Sequence, residues 1–86
     1  MEVRIPSPLF SYTGGRSTVD ATGATLDHIA HDLERQFPGL RFRIIDEQGR
    51  IRPHIKFFIN FVQADSLSDP VTASDSVAII QAFSGG

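Results

Sequence analysis

The segment TLDHIAHDLERQFPG, residues 25–39, restricts the fold of this chain more than any other. Leu26, Ile29, Ala30, Leu33 and Phe37 stand at i, i+3, i+4, i+7 and i+11, which is one stripe along an α-helix. Thr25 suits the N-cap, Asp27 suits the positive end of the helix dipole, and Pro38-Gly39 stops the helix. The outer face carries Asp27, His31, Asp32, Glu34 and Arg35, a solvated surface. A helix cannot bury its own stripe. In 86 residues with one clear helix, that stripe needs an apolar sheet face to cover.

The rest of the chain supplies strands. MEVRI alternates, with Val3 and Ile5 inward. Pro6 and Pro8 forbid a continued central strand, so Pro6–Tyr12 reads as an irregular connection. Thr13-Gly14-Gly15 reads as a turn and RSTVDA as a second strand. After the helix, LRFRII alternates and reads as a short strand before the turn Asp46-Glu47-Gln48-Gly49. HIKFFINF is the strongest strand signal, with Ile55, Phe57, Ile59 and Phe61 on one face and Lys56, Phe58 and Asn60 on the other. VQADSLSDPVTASD is polar and turn-rich, and SVAIIQAF, dense in β-branched residues, is the last strand. The expected fold is α+β in one domain, 1–86: one helix across a mixed sheet of four or five strands, with 83–86 a flexible tail. Its core sets Leu26, Ile29, Leu33 and Phe37 on Ile55, Phe57, Ile59, Val77 and Ile79.

Charge and composition remove whole classes of function. Ten acidic and eight basic residues give no cationic field for nucleic acid. No stretch suits a bilayer and Met1-Glu2-Val3-Arg4 lacks a signal peptide's layout, so a cytoplasmic protein that does not engage membranes is expected. Cysteine is absent, which excludes disulfides, thiolate nucleophiles, side-chain persulfides and thiolate metal sites. His28 and His31, with Asp27 and Asp32 beside them, have the spacing of two metal ligands but lack a third, and a wet helix face accounts for them. His54, after Pro53, reads as exposed. There is no Gly-x-Ser-x-Gly elbow, and no lysine follows Gly14-Gly15 as in a phosphate loop. No metal is expected, and no self-contained enzyme.

Gly85-Gly86 remains. An α-carboxyl with a reference pKa of about 3.5 is an anion at neutral pH and a poor electrophile. Another protein must convert it to a mixed anhydride, for instance with AMP, and the segment must thread a narrow channel to get there. Glycine has no side chain and many allowed backbone angles, so two of them meet that need.

The helix TLDHIAHDLERQFPG, the strand FFIN entering a tight turn, and SDSVAIIQAFSGG with its Asp-x-Val-x-Ile…Gly-Gly pattern resemble the ThiS/MoaD family of ubiquitin-like sulfur carriers over essentially the whole chain. VRIP, YTGG before a strand, and ATGATLDHIAHDLE look most like its CysO-type branch. Phe83 is bulkier than the valine common there, and Gln81 stands where molybdopterin-type members usually have proline. The resemblance implies a β-grasp fold and a chain that is acted on and does not itself catalyse. It implies that a MoeB/ThiF-like enzyme spends ATP to adenylate Gly86, with Gly85 as spacer, and that a sulfur donor displaces AMP to leave a thiocarboxylate. No bound cofactor is implied. The further partners are a pyridoxal-phosphate synthase of cysteine type that accepts the sulfide and a JAMM-type metalloprotease that restores Gly-Gly. On the sheet face away from the helix, Phe58 and Ile80 should stand with Ala78 and Ala82; Phe58, Ile80, Ala82, Phe83 and Ser84 are the expected partner contacts, unless loops 6–12 or 63–71 cover that face. The alternatives are a protein modifier joined to lysines through Gly86, the small subunit of a molybdopterin-type synthase, and a non-reactive β-grasp binding module.

Overall fold

The computed structural model describes residues 1–82. Strand β1 (Glu2–Arg4) leads into a 3-10 helix (Ser7–Thr13), then β2 (Thr18–Asp20), helix α1 (Leu26–Gln36), helix α2 (Leu40–Ile44), β3 (Ile55–Ile59), β4 (Val62–Gln63) and β5 (Val77–Gln81). The strands form one mixed sheet in the order β2-β1-β5-β3-β4. β1 and β5 pair in parallel at its centre, and every other pair is antiparallel. Parallel neighbours need a crossover connection. Here it includes α1, whose stripe closes the core.

Thr25 caps α1 as its position suggests: its hydroxyl oxygen accepts from the His28 N–H at 3.2 Å. Leu26, Ile29, Ala30 and Leu33 are buried with Val3, Ile5, Val19, Ile55, Phe57, Val77 and Ile79 in one cluster. Phe37 caps the C-terminus and is only half-buried, as is Ile59, so both pack at the edge of the core.

Three expectations are corrected. LRFRII is not a strand. Gly39 adopts φ 97°, and the Glu34 carboxylate accepts from the N–H groups of Gly39 (2.9 Å) and Arg41 (3.0 Å), which starts the helical turn of α2. A strand would turn Leu40, Phe42 and Ile44 to one side. The helix instead buries Leu40 and Ile44, four apart, and leaves Phe42 54% exposed. Pro6–Tyr12 is likewise not irregular. It lies within the 3-10 helix and its preceding cap, which buries Leu9 and Thr13, and the Thr13 hydroxyl donates to Arg16 O at 2.8 Å. Finally, β3 ends at Ile59. Asn60 (φ 49°) and Phe61 (φ 71°) form a two-residue hairpin turn, with Ile59 paired to Val62. Positive φ at both turn positions takes Phe61 off the inward face and leaves it 96% exposed.

Candidate functional site

Strand β5 lies in the middle of the sheet and carries the chain toward its C-terminus. Val77 and Ile79 point into the core; Ala78 and Ile80 point away from it, Ile80 being 41% exposed. The ladder continues past Gln81, because Ala82 N donates to His54 O at 2.8 Å. Ala82 is thus held against the start of β3 and is exposed. Phe83, Ser84, Gly85 and Gly86 lie outside the described residues.

The face of the sheet opposite α1 is open. Register places Arg4, Ala78, Phe58 and Gln63 in one row across β1, β5, β3 and β4, and Lys56 beside Ile80. A shallow groove of about 380 Å³ runs between Glu2, Arg4, Phe58, Phe61, Ala78 and Ile80. Neither candidate loop lines it. The 3-10 helix packs Leu9 into the core cluster, and the second loop is tied to the start of α1, where Asp27 N donates to Leu67 O, Leu26 N to Asp69 O and Val71 N to Ala24 O. Both loops therefore go to the helix side. Phe58 is half-buried and not fully exposed as expected, while Ile80 and Ala82 are exposed.

Phe61 joins this face without having been expected there. Its sequence signal is Asn60, a residue that tolerates positive φ. Asn60 is also clamped to the start of β5: its N–H donates to Ser76 O at 2.8 Å, its Oδ1 accepts from Ser76 N at 2.9 Å, and its Nδ2 donates to Asp75 Oδ1 at 2.8 Å. The other Asp75 oxygen accepts from Thr72 N at 2.8 Å. The Thr72 N–H, and then the Asn60 amide, hold the Asp75 carboxyl below its usual pKa of 3.8. A depressed folded-state pKa stabilises the fold above the unfolded value, and that contribution is lost as pH falls through the folded value. The melting-temperature gap between the parent and Asp75→Ala should therefore be constant near neutrality and shrink below about pH 4. Thermal melts across that range measure it, and a gap that widens in acid would contradict the clamp.

The histidines do not converge. His31 Nε2 is 3.6 Å from Asp27 Oδ2, His28 Nδ1 accepts weakly from Ala24 N at 3.4 Å, and His54, expected to be exposed, is half-buried at the root of β3. Among the described residues no three acidic or histidine side chains lie close enough to share a metal ion, and no helix is long and apolar enough to cross a membrane.

A helix laid over a five-stranded mixed sheet, with the central strand leading out along an open apolar face, defines a ubiquitin-like β-grasp protein. The chain belongs to the ThiS family, which it matches over residues 3–86. It is 32% identical to the sulfur carrier protein CysO of Mycobacterium tuberculosis, over 98% of this chain and 96% of that one. The crystal structure of the Amycolatopsis orientalis BexX/CysO complex contains a chain that superposes with a TM-score of 0.90 at 31% identity, covering 99% of this chain and 98% of that one. The crystal structure of Mycobacterium tuberculosis CysO superposes with a TM-score of 0.89 at 30% identity, covering 95% and 98%. The β-grasp fold implied by the sequence resemblance is thus the fold of the protein.

Proposed function

We propose that this chain is a CysO-like sulfur carrier and that Gly86 is its chemical centre. The observation that carries the reading is the ThiS-family match over residues 3–86, a span that includes Gly85 and Gly86, together with the likeness to a sulfur carrier protein over 98% of the chain. A carboxylate oxygen of Gly86 attacks the α-phosphorus of ATP on a MoeB/ThiF-like enzyme and displaces pyrophosphate. A sulfur nucleophile then attacks the acyl carbon and displaces AMP, leaving a thiocarboxylate. The carrier supplies no acid, base or cofactor to either step. Its contribution is delivery: β5, held on both sides in the centre of the sheet, gives the reacting end a rigid base.

The thiocarboxylate sulfur bonds to the amino-acid substrate of a pyridoxal-phosphate synthase of cysteine type and displaces that substrate's leaving group. A JAMM-type metalloprotease then hydrolyses the bond between Gly86 and the amino acid, which releases cysteine and restores Gly-Gly. These steps take place in the cytoplasm. The Amycolatopsis relative is a complex of CysO with BexX, which supports hand-over by direct protein contact. Phe58, Ile80 and Ala82, with Phe83 and Ser84 beyond them and Phe61 added by the structure, form the docking contacts.

Intact-protein mass spectrometry after incubation with ATP, sulfide and the adenylating enzyme tests the reading. The expected product has one oxygen replaced by sulfur at Gly86. An unchanged mass overturns the reading, and addition of a whole protein favours the modifier alternative.

The docking face has its own test. Ile80→Asp and Phe61→Asp should leave stability within roughly 0.5 kcal/mol of the parent, as for other exposed positions. Both should raise the KM of the adenylating enzyme for the carrier. Phe58→Asp is less informative because Phe58 is half-buried. Unchanged KM in both variants would show that the open face is not used.

A further inference from the structure

We infer that the cleft formed by Arg43, Arg52 and His54 beside Gln81 docks an acidic surface of the adenylating enzyme, next to the mouth of the channel that receives Gly86. The inference rests on the sulfur-carrier reading and adds to it a second, polar docking element distinct from the apolar open face.

The cleft, about 240 Å³, lies where α2, the start of β3 and the end of β5 meet, with Leu9 and Phe42 forming its apolar wall. Arg52 is fixed there. Its Nε donates to Phe42 O at 2.7 Å, and its guanidinium carbon sits 4.6 Å from the centre of the Phe42 ring. Arg43 is exposed. Neither arginine forms an ion pair with an acidic side chain among the described residues. Asp46 feels the charge of Arg52 without contacting it; its Oδ1 accepts from the N–H groups of Gln48 (2.9 Å) and Arg50 (3.0 Å).

Charge is distributed unevenly along the chain. Residues 41–56 hold Arg41, Arg43, Arg50, Arg52 and Lys56 against Asp46 and Glu47, while the whole protein carries a net charge of −2. An acidic partner is therefore not attracted by the molecule as a whole; Arg41 is paired with Asp27 and Lys56 lies beside Ile80, which leaves Arg43 and Arg52 as the arginines offered at the cleft.

The occupant follows from reach. Ala82 is bonded to His54 O at the rim of the cleft. Gly86 is the fourth residue beyond Ala82, and four residues span at most about 14 Å. To bring the Gly86 carboxylate to an enclosed nucleotide, the enzyme must press the surface around its channel against the groups flanking Ala82. Arg43 and Arg52 are then taken out of water in that contact. Unpaired cations in an interface are costly, so carboxylates on the enzyme must meet them.

The test measures pyrophosphate release by the adenylating enzyme of the source organism, with ATP and the full-length carrier. It compares the parent, Arg43→Glu, Arg52→Gln and Arg16→Glu at about 20 mM and about 300 mM salt. Arg43 makes no side-chain hydrogen bond among the described residues, so its reversal leaves the fold intact even if loss of the Arg52 bond does not. Arg16→Glu is the control for net charge, with the same change of charge at a residue that does not line the cleft. At low salt, Arg43→Glu should lower kcat/KM roughly tenfold through KM, with kcat unchanged, and high salt should narrow the difference. Arg52→Gln should act in the same direction. If Arg43→Glu behaves like Arg16→Glu while the parent is adenylated, the cleft proposal fails and the carrier reading stands. If the parent is not adenylated at all, the carrier reading fails and takes the cleft proposal with it.

Discussion

Deleting Gly86 should abolish sulfur loading and leave the stability of the domain unchanged. Among the described residues the buried core runs from Val3 to Ile79, short of the end of β5. A chain shortened by one residue presents its carboxylate about 3.5 Å short of the nucleotide. Reacting atoms must meet within roughly 3–3.5 Å, and a misplacement of about 1 Å already costs on the order of a hundredfold in rate. One residue added beyond Gly86 should be as damaging, until a protease removes it. Gly85→Val should also impair adenylation, because a branched Cβ does not fit a channel shaped for bare backbone. Intact mass after incubation with ATP and sulfide reads the loading, and a thermal melt reads the fold. A Gly86 deletion that still acquires sulfur would sink the assignment.

Leu33→Ala should destabilise the domain by about 2–5 kcal/mol. Leu33 is fully buried in the middle of α1, surrounded by the core, and a residue of that size leaves a cavity when shortened. Small domains have roughly 5–15 kcal/mol in all, so the loss is a large part of the total. Phe37→Ala should cost less despite the larger side chain, because Phe37 is half-buried at the helix end. Urea melts of the two variants rank them. A Leu33→Ala protein as stable as the parent, or a Phe37→Ala protein less stable than Leu33→Ala, would contradict this core.

Much of the architecture was legible because its signals are local and long. Helix α1 has a stripe of five positions, a capping threonine and a Pro-Gly stop, all within residues 25–39. Strands β3 and β5 carry alternation that puts Phe57 and Ile79 inward and Ile80 outward, as observed. The turn at Asp46 is announced by its own residues, and its carboxylate bonds the two N–H groups that close it.

What failed was short or depended on a distant partner. In LRFRII, positions two and four apart are both apolar, so five residues suit a strand or a helical turn equally. The choice was made by Gly39, whose left-handed backbone packs so close to Tyr12 that an added Cβ would sit 3.2 Å from its ring, and by Glu34, which caps the turn from the preceding helix. Phe61 looked like a continuation of the β3 face. Pairing of Ile59 with Val62 made it a turn residue and turned its ring out toward Phe58 and Ile80. The sequence by itself determined that a helix must cover a sheet and that a β-rich strand leads to Gly-Gly, because those follow from periodicity within single segments. Only the tertiary structure decided that β5 lies between β1 and β3, that both loops leave the far face open, and that Arg43 and Arg52 flank the end of β5. Those facts depend on strand pairing and side-chain contacts between residues far apart in the chain, and no local pattern encodes them.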